Sequence, residues 1–302
     1  MANLLPITLI IVSDYEPGEK TWADEDAAVQ AYSQDLAGAP AEIIVAAATQ
    51  DEGTPHPEWS GLNVKVKFVD AEASASMKDA AVPDASHDLI AVIEADCICE
   101  PGWLAALYEE ISENPHLDAV SGTTMYQPTS ALRRAASVVD RGFIRAQLAN
   151  GDYYHVSNNG ALYKAALLKA HPYPEAPSPF VSAERRNQKM KRDGARFGYT
   201  SAAIQYHEFG GWPFIADVRR NKGHQHYLTM FPRSTPAGGR LRTMIRCIRG
   251  DLSAAFKSYF AYCRLTDLPS LLALLVYARF FEWQGATMAK NGMKQVEGTS
   301  YR

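Results

Sequence analysis

Short apolar runs alternate with a helical stretch along the first part of the chain. Residues 7–12, 42–47 and 89–93 are mainly apolar and have the length of buried strands, and residues 64–69 alternate as a strand with one buried face does. Apolar spacing predicts a helix over 23–36. This order of elements predicts an α/β nucleotide-binding domain with a mainly parallel central sheet flanked by helices.

The C-terminal part has a different pattern. Residues 240–250, 251–265 and 268–289 each predict a helix, and the last is apolar nearly all round yet interrupted by Arg279 and Glu282. Two interpretations fit this helix. It packs on the body of the protein, or it lies with its neighbour on anionic lipid, which the surrounding arginines would contact.

Charge is distributed unevenly between these two parts. The chain of 302 residues has a net charge of −4, which does not favour bulk nucleic-acid binding. Residues 231–302 nevertheless hold 11 Lys and Arg against 4 Asp and Glu. We therefore divide the chain into an acidic α/β domain over 1–230 and a basic, apolar helical extension over 231–302, which we expect to face something anionic.

The four cysteines do not indicate a disulfide framework, and Cys97 and Cys99 lie too close together to suggest a zinc pair without other partners. The N-terminal residues lack the basic region of a signal peptide, and no uncharged run reaches the roughly 18 residues that a membrane span needs. We expect a cytoplasmic protein, with peripheral contact at the inner face of a membrane as a further hypothesis.

Two carboxylates follow the predicted strand over 89–93. Glu94 and Asp96 stand one residue apart at its C-terminal end, before Pro101 and Gly102 break the chain. Open α/β sheets bind ligands at that end of their strands, and the spacing suits a hard divalent cation that also holds a phosphate. The alternative is a strand end that is merely acidic.

Further motifs follow one another along residues 5–230. They are ITLIIVSDYE, EIIVAAA, MKDAAVPDASHDLIAVIEADCICEPGWL, VSNNGALYKAALL, SAERRNQKMKRDG and FGYTSAAIQYHE. In order and spacing this series resembles the family-two inverting glycosyltransferases, which have a GT-A-type fold. The resemblance implies that the chain transfers a sugar from a nucleotide-diphosphate sugar to an acceptor hydroxyl, with inversion, as in polysaccharide or cell-envelope synthesis.

The resemblance also implies roles for single residues. Asp96 would be the main metal ligand in a D-x-D motif, His207 would complete the shell of a Mg²⁺ or Mn²⁺ ion, and Glu184 would be the catalytic base. Other residues would contact the nucleotide-sugar together with Asp96: Tyr15, Glu16, Lys78, Glu94, Asn159, Arg219 and Lys222. The cation would stabilise the leaving diphosphate, and the base would take the proton of the acceptor hydroxyl.

The chain departs from the family pattern at two places. The second strand ends in Ala46, Ala47 and Ala48 instead of an acidic pair, which leaves the donor base open, and Ala183 precedes Glu184 where the family has a Glu-Asp pair. Two alternatives therefore stay open. One is a catalytically degenerate binding protein, and the other is a sugar nucleotidyltransferase, although the chain shows no glycine-rich N-terminal phosphate loop. The acceptor, a glycan or a lipid-linked molecule, is not specified by the sequence.

Overall fold

The computed structural model describes residues 3–13, 20–70, 74–145, 152–175, 179–230 and 239–293. By its contacts the chain forms two compact units. The first comprises residues 1–124, 147–174 and 183–207, and the second comprises residues 125–146, 175–182 and 208–302. The second unit thus takes in segments on both sides of residue 230, and the sequence-based domain boundary there stays a prediction.

An eight-stranded sheet is the centre of the fold. Its strands in chain order are β1 (Leu4–Val12), β2 (Ala39–Ala48), β3 (Val64–Val69), β4 (Leu89–Glu94), β5 (Ile98–Cys99), β6 (Ala119–Tyr126), β7 (Ala161–Lys164) and β8 (Phe197–His207). In space they follow the order β3-β2-β1-β4-β7-β6-β8-β5. Strands β3, β2, β1 and β4 are parallel, whereas β7 is antiparallel to β4 and β6, and β5 is antiparallel to β8. The predicted α/β class is confirmed.

Both faces of the sheet are covered. Along β1, Leu9 and Ile11 enter one apolar cluster and Ile10 and Val12 enter another, and all four are fully buried. Side chains of a strand alternate between faces, so two buried faces explain why β1 is a continuous apolar run. The flanking helices are α1 (Ala23–Ser33), α2 (Ser74–Ala81), α3 (Trp103–Glu113), α5 (Ala165–Ala170) and α6 (Pro179–Arg192).

The second unit is helical, with α4 (Ala131–Arg141), α7 (Gly211–Met230), α8 (Gly239–Tyr262) and α9 (Leu268–Lys290). The predicted last helix and the C-terminal helical appendage are confirmed. The two helices predicted over 240–250 and 251–265 are a single helix, because Gly250 lies in open space within α8 and does not break it. None of the described helices is long and apolar enough to cross a bilayer.

Candidate active site

Antiparallel pairing brings the end of β8 to the end of β4. The chain leaves β4 at Glu94 and enters β5, where Ile98 pairs with Tyr206 of β8. The next residue of β8, His207, consequently lies beside the turn that joins β4 to β5. Ligand atoms of four residues in this region all lie within 4.8 Å of one another, namely those of Glu94, Asp96, Cys97 and His207. We call these four residues the metal cluster.

Glu94 is held by three neighbours. Its Oε1 accepts hydrogen bonds from Lys78 Nζ at 2.8 Å and from Ser74 Oγ at 2.9 Å. Its Oε2 accepts from Asn159 Nδ2 at 2.6 Å, and its backbone N–H donates to Asn159 Oδ1 at 3.0 Å. Ser74 and Lys78 lie four residues apart on α2, so one face of that helix supplies both donors.

Charge keeps Glu94 ionised in this setting. Burial by itself would raise the pKa of the Glu94 carboxyl, but the charge of Lys78 and the contact with His207 hold this pKa well below its usual range. Burial would likewise lower the pKa of Lys78, but the adjacent Glu94 raises it above its ordinary value. Both groups are therefore charged near neutral pH, and the carboxylate is available to a cation.

The remaining members of the cluster surround the same space. His207 Nδ1 lies 3.5 Å from Asp96 Oδ2, and His207 Nε2 lies 3.7 Å from Glu94 Oε2. The Cys97 thiol donates to Asp96 Oδ1 at 3.4 Å and accepts from Asn159 Nδ2 at 3.2 Å. Two carboxylates fit Mg²⁺ or Mn²⁺, and the imidazole and thiol also suit softer divalent ions. The donor set thus fits a divalent metal.

One segment of the chain matches a known protein family. Residues 56–171 match the family model described as glycosyl transferase family 2, and this segment includes Lys78, Glu94, Asp96 and Asn159. This segment marks a glycosyltransferase domain of family 2 within the chain. No curated protein sequence matches the transferase.

Solved structures resemble the transferase at low identity. The mannosyltransferase PcManGT of Pyrobaculum calidifontis, in complex with GDP-Man and Mn²⁺, gives a TM-score of 0.55 at 16% identity, over 93% of this chain and 86% of that one. Residues 1–349 of S. aureus TarS with UDP-GlcNAc give 0.48 at 12%, over 94% and 90%. Glucosyl-3-phosphoglycerate synthase of Mycobacterium tuberculosis gives 0.47 at 15%, over 67% and 72%. The first likeness supports the GT-A fold of the transferase and nothing finer.

Glu184 lies on α6 of the transferase and is half-buried. Its Oε1 accepts a hydrogen bond from Gln188 Nε2 at 3.1 Å, one helical turn further on. Its role as catalytic base stays a prediction. Tyr15 and Glu16, the predicted contacts to the nucleotide base, lie outside the described residues.

Arg219 and Lys222 lie on α7 of the second unit. Arg219 is fully buried, and its guanidinium donates to Asp140 and, at 3.2 Å and 3.1 Å, to Asp251 and Glu282. Lys222 Nζ lies 3.3 Å from Asp251. Carboxylates from α4, α8 and α9 thus surround Arg219, so this arrangement indicates a structural cross-link and does not favour the predicted contact with a diphosphate.

Two further residues at the site, Ser74 and Cys97, were not predicted from the sequence. A signal existed for Ser74, because it stands one helical turn before Lys78. Cys97 follows Asp96 directly, but the groups that could hold a metal together with it are carboxylates and a histidine instead of a second cysteine.

Proposed function

We propose that the transferase moves a sugar from a nucleotide-diphosphate sugar to an acceptor hydroxyl, with inversion and with the help of a divalent cation. The observation that carries this proposal is the metal cluster. In it an ionised Glu94 converges with Asp96 and His207, and both carboxylates lie within the segment that matches the family. The related mannosyltransferase contains GDP-Man and Mn²⁺, which agrees with such a donor and metal.

The predicted site residues have separate roles in the proposed reaction. Asp96 and His207 would hold the Mg²⁺ or Mn²⁺ ion, which when bound would neutralise charge on the leaving diphosphate. Lys78 adds a fixed positive charge and keeps Glu94 oriented. Glu184 is proposed as the base that accepts the proton of the acceptor hydroxyl as the new bond forms, on the opposite face of the sugar.

The acceptor and location are also proposals. We propose a glycan or lipid-linked acceptor, in polysaccharide or cell-envelope synthesis, because the basic C-terminal helices would be attracted to the anionic surface of a membrane. A cytoplasmic location agrees with the four cysteines, all of which are free thiols.

One observation favours a second candidate, a glycosyltransferase-like protein that binds without turnover. β2 ends in Ala46, Ala47 and Ala48, all buried, so these three residues offer no carboxylate to a nucleotide base. Such a protein would bind nucleotide-sugar and release no nucleotide diphosphate.

Calorimetric titration with UDP, GDP, CMP and dTDP, each with and without Mn²⁺, tests the proposal. We expect one nucleotide to bind in a Mn²⁺-dependent manner, and Asp96→Asn to abolish this dependence. Asp84→Asn is the matched control, because Asp84 makes an exposed ion pair with Lys67. Failure of every nucleotide to bind would overturn the mechanism, whereas tight binding of a nucleotide-sugar without release of nucleotide diphosphate would favour the binding protein.

A further inference from the structure

Helices α8 and α9 expose positive charge only. Between residues 239 and 293 the three acidic residues, Asp251, Asp267 and Glu282, are all buried. Each of them is ion-paired with arginine. The exposed charged residues of the same stretch are all basic: Arg242, Arg246, Arg249, Lys257, Arg264 and Lys290. The acids that would balance these cations are therefore used inside the protein.

An apolar stripe runs along the exposed side of α9. Its five members are Leu268, Leu272, Val276, Phe280 and Trp283, with exposures of 47%, 55%, 72%, 64% and 38%. Spacings of four and three residues place them on one face of the helix, over a length of about 22 Å. No exposed charged residue interrupts α9 from residue 268 to 284, a stretch that the structure describes in full.

The stripe is not an extension of the core. Leu271, Leu274 and Ala278 lie on the other side of α9 and are buried, the first two of them in the apolar cluster of the second unit. This helix has thus already buried one apolar face, and a second, uncharged apolar face remains at the surface. Large exposed apolar patches with a polar rim mark interaction surfaces.

Arginines and a tryptophan border the stripe. The guanidinium of Arg240 stacks over Trp283 at 4.7 Å, and that of Arg220 stacks over the neighbouring Phe281 at 5.1 Å. Trp212, 39% exposed, packs edge-on against Tyr277 at 4.7 Å. Tryptophan, tyrosine and arginine side chains combine an apolar body with a polar end, a combination favoured where hydrocarbon meets charged headgroups.

We propose that the stripe of α9 and the exposed basic residues of α8 and α9 form a docking surface for membranes that contain anionic lipids. In this arrangement α9 lies in the plane of the headgroups, its stripe contacts acyl chains, and the basic residues contact lipid phosphates. The surface needs neither a donor nor a metal, so it is independent of the proposed sugar transfer.

Charge distinguishes a lipid surface from a second copy of the chain. In a two-fold dimer the same patch meets itself, so burying the stripe would bring two exclusively basic segments together. Like charges facing each other oppose association, whereas an anionic bilayer attracts every exposed cation of this stretch.

Co-sedimentation of the full chain with vesicles tests this inference. We expect binding to vesicles of phosphatidylcholine mixed with phosphatidylglycerol, at least tenfold weaker binding to phosphatidylcholine alone, and weakening by salt. The double variant Val276→Glu, Phe280→Glu should bind vesicles at least tenfold more weakly than the wild type. The double variant Arg246→Gln, Arg249→Gln should bind anionic vesicles more weakly and should bind phosphatidylcholine vesicles as the wild type does. Leu36→Glu, at an 81% exposed leucine of the first unit, is the matched control and should bind as the wild type does.

All substituted positions are exposed, so we expect each variant to fold. Circular dichroism and thermal unfolding check this. Absence of wild-type binding to anionic vesicles would overturn the proposal, as would binding that the α9 variant leaves unchanged. A wild-type dimer that the Val276→Glu, Phe280→Glu variant converts to a monomer, without any vesicle binding, would assign the stripe to a second copy instead.

Discussion

The side chain of Asn159 binds both the backbone N–H and the carboxylate of Glu94. The Asn159 side-chain carbonyl accepts from the Glu94 N–H at 3.0 Å, and its amide donates to the Glu94 carboxylate at 2.6 Å. One side-chain amide thus fixes the last residue of β4 and orients the carboxylate of that same residue, Glu94. Residues that orient a ligand in this way contribute to metal affinity without contacting the metal.

Replacing Asn159 should therefore weaken metal binding. We expect Asn159→Ala to lower the affinity for Mn²⁺ about 10- to 100-fold, because the Glu94 carboxylate loses a donor that orients it. Calorimetric titration, or electron paramagnetic resonance of the free Mn²⁺, measures this affinity without reference to turnover. Asn63→Ala is the control, since the exposed Asn63 side chain donates to the Ala41 carbonyl elsewhere. Equal affinities in the two variants would remove Asn159 from the site.

Cys97 should give the site an affinity for thiophilic ions. We expect Co²⁺ bound to the wild type to show a sulfur-to-cobalt charge-transfer band in the near ultraviolet, because the Cys97 thiol lies among the other ligand atoms. Cys97→Ser should lose this band. Cys99→Ser should retain it, because the Cys99 sulfur instead accepts a hydrogen bond from Tyr32 Oη at 3.1 Å. An unchanged spectrum in Cys97→Ser would show that sulfur does not bind the metal.

Glu42 should make the stability of the protein depend on acid pH. Burial alone would raise its pKa, but hydrogen bonds from Lys65, Thr8 and Ser86 lower the pKa of Glu42 to about 2 from an ordinary 4.5. A folded-state pKa below the unfolded one means that Glu42 stabilises the fold above pH 4.5 and that this contribution is lost as the pH falls towards 2. At neutral pH we expect Glu42→Gln to cost on the order of 3 kcal/mol in the free energy of unfolding.

Urea titrations of wild type and Glu42→Gln between pH 7 and about pH 3 measure this difference. The gap between the two proteins should narrow as the pH falls, whereas the exposed Glu52→Gln control should follow the wild type throughout. A gap that does not vary with pH would mean that the charge of Glu42 does not contribute.

Alanine at two glycines of the second unit should have opposite effects on the stability of the protein. A Cβ at Gly285 of α9 would lie 1.9 Å from the Arg220 carbonyl oxygen of α7, so these helices meet closely enough to exclude a side chain. Gly285→Ala should therefore destabilise the protein by about 1–3 kcal/mol or more. A Cβ at Gly250 of α8 meets nothing within 4 Å, and alanine there should stabilise the helix by up to about 1 kcal/mol. Thermal unfolding measures both, and equal shifts would contradict the packing of α7 against α9.

The sequence predicted well those features that depend on a few neighbouring residues. The strands, the last helix and the position of Glu94 and Asp96 at a strand end all result from local apolar periodicity, which the geometry of the backbone imposes. The same local signals were less successful at Gly250. Glycine weakens a helix without ending it, and the next residue, Asp251, continues α8 with its carboxylate paired inside the unit.

The tertiary structure alone decided which distant residues meet. His207 joins Asp96 and Cys97 because β5 pairs with β8, and strand pairing between distant segments leaves no local mark in the sequence. The family resemblance implied a contact of Arg219 with the nucleotide-sugar, yet packing buries this arginine among carboxylates from three other helices. Composition therefore determined the sign and number of the charges in the C-terminal helices. Which of them remain at the surface was decided by packing, because ion pairing in the interior removed every acid of residues 239–293 and left six of the cations exposed.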